Sequence, residues 1–369
     1  MNTPDAFSDR ATVAALVDRL GELAGRLDRA VTFMEVCGTH THAIAAAGLR
    51  RLLPRSVHLI SGPGCPVCVT PVDYLDRAEA LAALPDIIIA TFGDLMRVPS
   101  SRGSLEQARA QGCDIRVVYS PRDALAIARE QQTKRVVFLA VGFETTVPTV
   151  AAALAEAESE GIRNFQILPG SKLIEPPLRA LVADGAVQVD GFLLPGHVSV
   201  VIGSGAYEFL RTEFGVPAAV VGFTPADILL GIQELVRQRV ECAPRVANLY
   251  ARVVRAEGNR HAQALIAHFF EPVDTRWRGL GDIPGSGLGL RAAWAHRDAS
   301  RIVVEVPQPL EPRGCRCGEV LKGVVEPPQC PLFDHGCTPD TPVGACMVSS
   351  EGTCAAWYRH ERVRAGAAA

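Results

Sequence analysis

The sequence predicts an α/β fold of two parallel-sheet units followed by a third unit rich in cysteine. Three observations carry that prediction. Between residues 31 and 221, short apolar runs alternate with segments of helical spacing, the pattern of strands joined by crossover helices. The strand candidates are nearly continuous runs of Val, Ile, Leu and Phe, as parallel strands covered on both faces require. After residue 307 prolines and cysteines replace the alternation, and prolines at that density exclude long helices and central strands.

Taken in order, Ser8 stands where it can cap a first helix, in which Val13, Leu16, Val17, Leu20, Leu23 and Leu27 form one apolar stripe. The run 31–36 follows as a strand. Further strands are expected at 57–60, 86–91 and 115–119, with a helix over 72–84. Pro121 opens a helix to about residue 132, at a position where its missing N–H costs nothing. Strands at 136–141, 165–168, 192–194 and 218–221 alternate with helices near 146–160, 177–184 and 200–214. Residues 224–270 read as helical, and the glycine-rich stretch 279–287 as a loop, because neither a helix nor a Lys-Ser/Thr pair follows it. The expected division is 1–133 and 134–240 for the two α/β units, and 241–369 for a helical segment ending in a cysteine-rich cap.

Of the 369 residues, 37 are basic and 40 acidic, giving a net charge of −3. That balance excludes the basic excess of a nucleic-acid binder. No apolar run approaches the roughly 18 residues needed to cross a bilayer, so neither nucleic acid nor membrane is an expected partner. Residues 1–10 carry Asp5 and Asp9 and lack a secretory apolar segment, so the expected location is cytoplasmic. In a reducing compartment, eleven cysteines point to metal binding or redox chemistry before structural disulfides. Cys37, Cys65 and Cys68 lie near the front, and six fall between Cys315 and Cys354, so two sulfur sites are expected.

The front site combines two motifs. Cys37-Gly38-Thr39-His40 follows a strand and opens a helix, where exposed N–H groups and the helix dipole are expected to lower a thiol's pKa. A small buried hydrophobe is the competing reading of Cys37. Cys65 and Cys68 form a C-x-x-C pair in a rigid Gly/Pro loop, suited to disulfide exchange or to metal binding. Other strand ends carry Asp94 (92–99), Glu144 and Thr145 (142–146) and His197 (195–199). Each lies where α/β sheets bind ligands, and together they are expected to face a common cleft, although each alone suits a cap or turn. In the tail, Cys315, Cys317, Cys330, Cys337, Cys346 and Cys354 lack the paired C-x-x-C knuckles of a zinc ribbon, so an iron–sulfur cluster is favoured over zinc.

In this order the motifs resemble the HypD family of hydrogenase maturation factors, from about residue 33 to 358. The resemblance rests on CGTHTH at 37–42, SGPGCPVC at 61–68, FGDLMRVP at 92–99, GFETT at 142–146, the PGHVS segment at 195–203, and CRCGEVLKG through GACMVSSEGTC at 315–354. Val201 is the one departure, a conservative one. The resemblance implies two Rossmann-like parallel-sheet α/β domains plus a helical, cysteine-rich iron–sulfur domain. It implies a scaffold that assembles the Fe(CN)2CO group of nickel–iron hydrogenases, with redox activity but no free substrate. Cys37, with Thr39 and His40 in its motif, would bind the transient iron carrying cyanide and CO. Cys65 and Cys68 would form a redox-active dithiol/disulfide, and Cys317, Cys330, Cys337 and Cys354 would hold a 4Fe-4S cluster. Cys315 and Cys346 are then left outside it. The implied partners are the small chaperone HypC and the cyanide-donating HypE–HypF system. The alternative function is an iron–sulfur-dependent thiol-disulfide oxidoreductase acting on a protein disulfide.

Overall fold

A computed structural model describes residues 9–185 and 188–362. Nine strands form two parallel sheets: β1 (Val31–Glu35), β2 (Val57–Ser61), β3 (Ile87–Thr91), β4 (Ile115–Val117), β5 (Arg135–Gly142), β6 (Phe165–Ser171), β7 (Gly191–Pro195), β8 (Ala218–Val221) and β9 (Val246–Asn248). The first sheet has the order β2-β1-β7-β8-β9 and the second β4-β3-β5-β6. Every strand expected from the sequence is present. The fold is α/β with parallel sheets.

The sheets do not part the chain near residue 133. The first takes strands from both sides of the second, because β1 pairs with β2 on one edge and β7 on the other, Phe33 opposite Gly191. The chain therefore leaves after β2, builds the second sheet and returns. Side chains alternate as strands demand. Val31, Phe33 and Leu193 turn toward the helices Arg10–Ala24 and Pro225–Val240. Val136, Phe138 and Ala140 turn toward the helices Pro121–Glu130 and Val147–Ser159. The opposite faces, with Met34, Phe192 and Leu194 from one sheet and Val137, Leu139 and Val141 from the other, share a single core. Cys65, Cys68, Cys317 and Cys346 belong to that shared core.

Four segments depart from expectation. The first helix is capped by Asp9, whose carboxylate accepts from Thr12 N at 3.0 Å; Ser8 lies outside the described residues. The region 200–214 is not one helix, since Gly203, at φ +88°, separates the helix Gly196–Ile202 from the 3-10 turn Ser204–Tyr207 and the short helix Glu208–Thr212. The stretch 224–270 contains β9 between the helices Pro225–Val240 and Arg260–Phe269. Residues 279–287 are mostly strand: β10 (Phe270–Trp277) and β11 (Gly281–Leu290) form an antiparallel hairpin. Its glycines and prolines erase the period-two signal that marks a strand, so the third unit is less helical than its sequence reads.

Candidate functional site

Both sheets reverse their strand order once, the first between β1 and β7 and the second between β3 and β5. Helices diverge at such a reversal and leave a crevice at the strands' carboxyl ends, the usual ligand position in α/β sheets. The four motif loops that follow these strands lie at the two crevices: 37–40 and 195–199 in one, 92–99 and 142–146 in the other.

Cys37 stands at the N-cap of the helix Gly38–Ala46 and is buried. Its N–H donates to Glu35 Oε2 at 3.1 Å, and Thr41 Oγ1 donates to Glu35 Oε1 at 2.6 Å. The loop Gly62–Cys65 closes the other side. Gly38 N–H donates to Gly64 O at 3.1 Å, and a Cβ on Gly64 would stand 2.1 Å from Cys37 N, so only glycine fits. The backbone N–H groups of Thr39 and His40 favour the thiolate, as the helix position predicts. Burial outweighs them, and with the charges of Glu351 and Glu35 it pushes the thiol up to about 12. With solvent removed the neutral thiol is favoured, opposite to the lowering expected from the helix position alone. Burial likewise pushes Glu35 up to about 7. His40 is held down to about 4 by burial. It is therefore a neutral imidazole whose Nε2–H donates to Gly222 O at 2.9 Å, leaving Nδ1 buried without a hydrogen-bond partner.

A segment of the tail enters this crevice. Thr39 Oγ1 donates to Glu351 Oε1 at 2.7 Å, and Ser349 Oγ donates to Asp94 Oδ2 at 2.6 Å. Residues 349–351 thus join the carboxyl ends of β1 and β3. His197, exposed and stacked on Phe223 at 3.9 Å between centroids, lies within the field of Glu351. Glu144 lies elsewhere. Its Oε1 accepts from Ile174 N at 2.9 Å, its Oε2 has no partner, and it lines a cavity of about 640 Å3 with Leu173, Val201, Ile202 and Ile266. Thr145 is exposed beside it. Cys37, Thr39, His40, Asp94 and His197 are thus gathered around the tail insert, and Glu144 and Thr145 are not. Glu35, Ser349 and Glu351 are missing from the sequence-based set. An acid inside the apolar run 31–36 is the signal that flags Glu35.

The thiols make a continuous chain. Cys65 caps the short helix Pro66–Val69, its Sγ accepting from Cys68 N at 3.2 Å. The Cys68 thiol meets those of Cys65 and Cys346. Cys346 Sγ lies 2.7 Å from Cys317 Sγ, and Cys317 also meets Cys315. All eleven cysteines are free.

Among the described residues, no three His, Cys, Asp or Glu side chains converge closely enough to hold a single metal ion. Six thiols nevertheless line one cavity of about 10 Å3: Cys315, Cys317, Cys330, Cys337, Cys346 and Cys354. Val343 N–H already donates to Cys337 Sγ at 3.3 Å. Soft donors in that number, Cys317, Cys330, Cys337 and Cys346 buried and Cys315 and Cys354 half-buried, fit an iron–sulfur cluster once their side chains turn to admit it. Among the described residues no helix is long and apolar enough to cross a membrane.

Comparison with known proteins agrees with the motifs. The HypD family model, described as the hydrogenase formation hypA family, matches residues 11–361. The chain is 46% identical to the hydrogenase maturation factor HypD of Escherichia coli K12, over 98% of this chain and 99% of that protein. It is 48% identical to HypD of Rhizobium leguminosarum bv. viciae over 91% and 90% of the two chains. It is 44% identical to the hydrogenase expression/formation protein HupD of Azotobacter chroococcum over 100% and 99%. With its core, crevices and thiol motifs all inside the matched span, the chain belongs to the HypD family of hydrogenase formation proteins.

Proposed function

We propose that this chain is a cytoplasmic maturation factor for nickel–iron hydrogenases, a scaffold on which an iron carrying cyanide and CO is assembled. The observation that carries the reading is the unbroken run of thiols from Cys65 and Cys68 through Cys346 to the six-cysteine cavity, beside the backbone that holds Cys37.

The cargo iron would bind Cys37, whose proton it displaces; a soft thiolate suits a low-valent iron with cyanide and CO. Neutral His40 fixes the loop through Gly222, while Thr39 and Glu351 border the thiol. A small chaperone of the HypC type would complete the iron's coordination from the open side of the crevice, and a HypE–HypF type system would supply cyanide.

A 4Fe-4S cluster held by four of the tail thiols would supply single electrons when bound. Attack of a thiol on a neighbouring disulfide passes the S–S bond to the next pair with no net gain or loss of electrons. Cys346 touches both Cys317 and Cys68, a contact that supports this exchange. This contact favours a second ligand set. If Cys317 and Cys346 belong to the thiol chain, the cluster takes Cys315, Cys330, Cys337 and Cys354, with Cys315 replacing Cys317.

Anaerobic purification with the small partner tests the proposal. Infrared bands of metal-bound cyanide and CO, together with the broad visible absorption of a cluster, are expected. Cluster absorption and turnover of a protein disulfide without those bands would point to a thiol-disulfide oxidoreductase instead.

A further inference from the structure

Arg278 sits at the tip of the β10–β11 hairpin and is 3% exposed. Its backbone N–H donates to Val69 O at 2.9 Å, Nε to Thr70 O at 2.9 Å and Nη2 to Pro99 O at 3.2 Å. Those bonds fasten the guanidinium behind the turn that carries Cys65 and Cys68. Gly279 follows at φ +77° and presses on Gly318, the neighbour of Cys317: a Cβ on Gly279 would stand 2.2 Å from Gly318 Cα. The hairpin tip thus touches both cysteine segments.

The remaining nitrogen, Nη1, is buried with no hydrogen-bond partner, and no carboxylate pairs with Arg278 among the described residues. The carbonyls of Thr70 and Pro99 satisfy two N–H directions but carry no net charge. A buried cation without an anion is strongly unfavourable, so a fold that keeps one needs negative charge opposite it. The contact of Gly279 with Gly318 sets the Cys315–Cys317 segment beside this cation. Thiolates that hold iron would supply that negative charge on this side of the hairpin tip.

We propose that Arg278 is the built-in counter-cation of the tail sulfur site, a positioning residue whose charge and free Nη1–H balance the negative charge of iron-bound thiolates. The proposal rests on the iron–sulfur reading of the tail. Reduction adds one electron to the cluster without making or breaking a bond, so a fixed positive charge nearby favours the reduced form and raises the potential.

The test reconstitutes wild type, Arg278→Lys and Arg278→Met with ferrous iron and sulfide, and titrates each with dithionite. Arg278→Met is expected to lower the equilibrium constant for reduction at least tenfold, a potential more negative by about 59 mV. Arg278→Lys is expected to keep the wild-type potential. A folded Arg278→Met that takes no cluster, beside an Arg278→Lys that does, also supports the proposal, since lysine keeps the charge but not the guanidinium's fork. Equal potentials in Arg278→Met and wild type overturn the proposal, as does loss of the cluster in both variants. A wild-type chain that binds no cluster removes the iron–sulfur reading itself.

Discussion

Thr39 donates its hydroxyl hydrogen to Glu351 Oε1 across 2.7 Å, although the two residues stand 312 positions apart. Gly38 leaves room for this contact, since a Cβ there would lie 2.5 Å from Glu351 Cβ. The tail is thereby tied to the loop that carries Cys37. A double-mutant cycle of Thr39→Val and Glu351→Gln is expected to show coupling of about 1.5–3 kcal/mol in urea unfolding, the range for a hydrogen bond to a charged group. Strict additivity would mean the two side chains do not support each other.

Glu144 carries a pH signature. Burial pushes its carboxyl up to about 7. The folded chain therefore holds the proton more tightly than the unfolded chain does. The stabilisation this gives is complete below the ordinary carboxylate value near 4.5, declines as pH rises, and is gone above about 7. Glu144→Gln removes this decline. Relative to wild type, the variant is expected to gain about 3 kcal/mol between pH 4.5 and 8, measured as unfolding free energy against pH. Glu35, raised to about 7 by its own burial, contributes equally to both proteins. Parallel pH profiles would contradict the assignment.

Cys346 is the link between the front pair and the tail, through its contacts with Cys317 and Cys68. One equivalent of a disulfide-forming oxidant is expected to distribute bridges over the Cys65/Cys68 and Cys317/Cys346 pairs in the cluster-free chain. In Cys346→Ser the bridge is expected at Cys65/Cys68 alone. Peptide mapping after alkylation of the remaining thiols reads the difference, and an unchanged pattern would remove Cys346 from the relay.

The two ligand sets separate cleanly. If Cys317 serves the thiol chain, Cys317→Ser retains the cluster absorption and Cys315→Ser loses it. The opposite result restores the set containing Cys317. Iron and sulfide content of the reconstituted variants decides.

Much of the fold is legible in the sequence where burial is uniform. Runs such as Ile87–Thr91 and Gly191–Pro195 are buried along their whole length, so composition alone marks them as strands. The Cys65–Cys68 spacing likewise survives as a local signal. What a linear reading misses is set by distant contacts. Glu351 acquires its place only because the tail folds back on Thr39, and Ser349 only because it meets Asp94. The Cys37 thiol follows the helix rule locally, but its burial reverses the sign. Residues 281–290 pair as a strand although glycine and proline interrupt them, because β10 supplies the partner that no single-segment pattern contains.

The most direct measurement compares wild type and Cys37→Ala, each purified anaerobically with the small partner, by infrared and visible spectroscopy on the same sample. A scaffold that holds its cargo at Cys37 predicts that the variant loses the bands of metal-bound cyanide and CO while the cluster absorption stays at the wild-type level. Bands that persist without Cys37 would contradict the account, and simultaneous loss of both signals would show that Cys37 supports the fold and does not carry the iron.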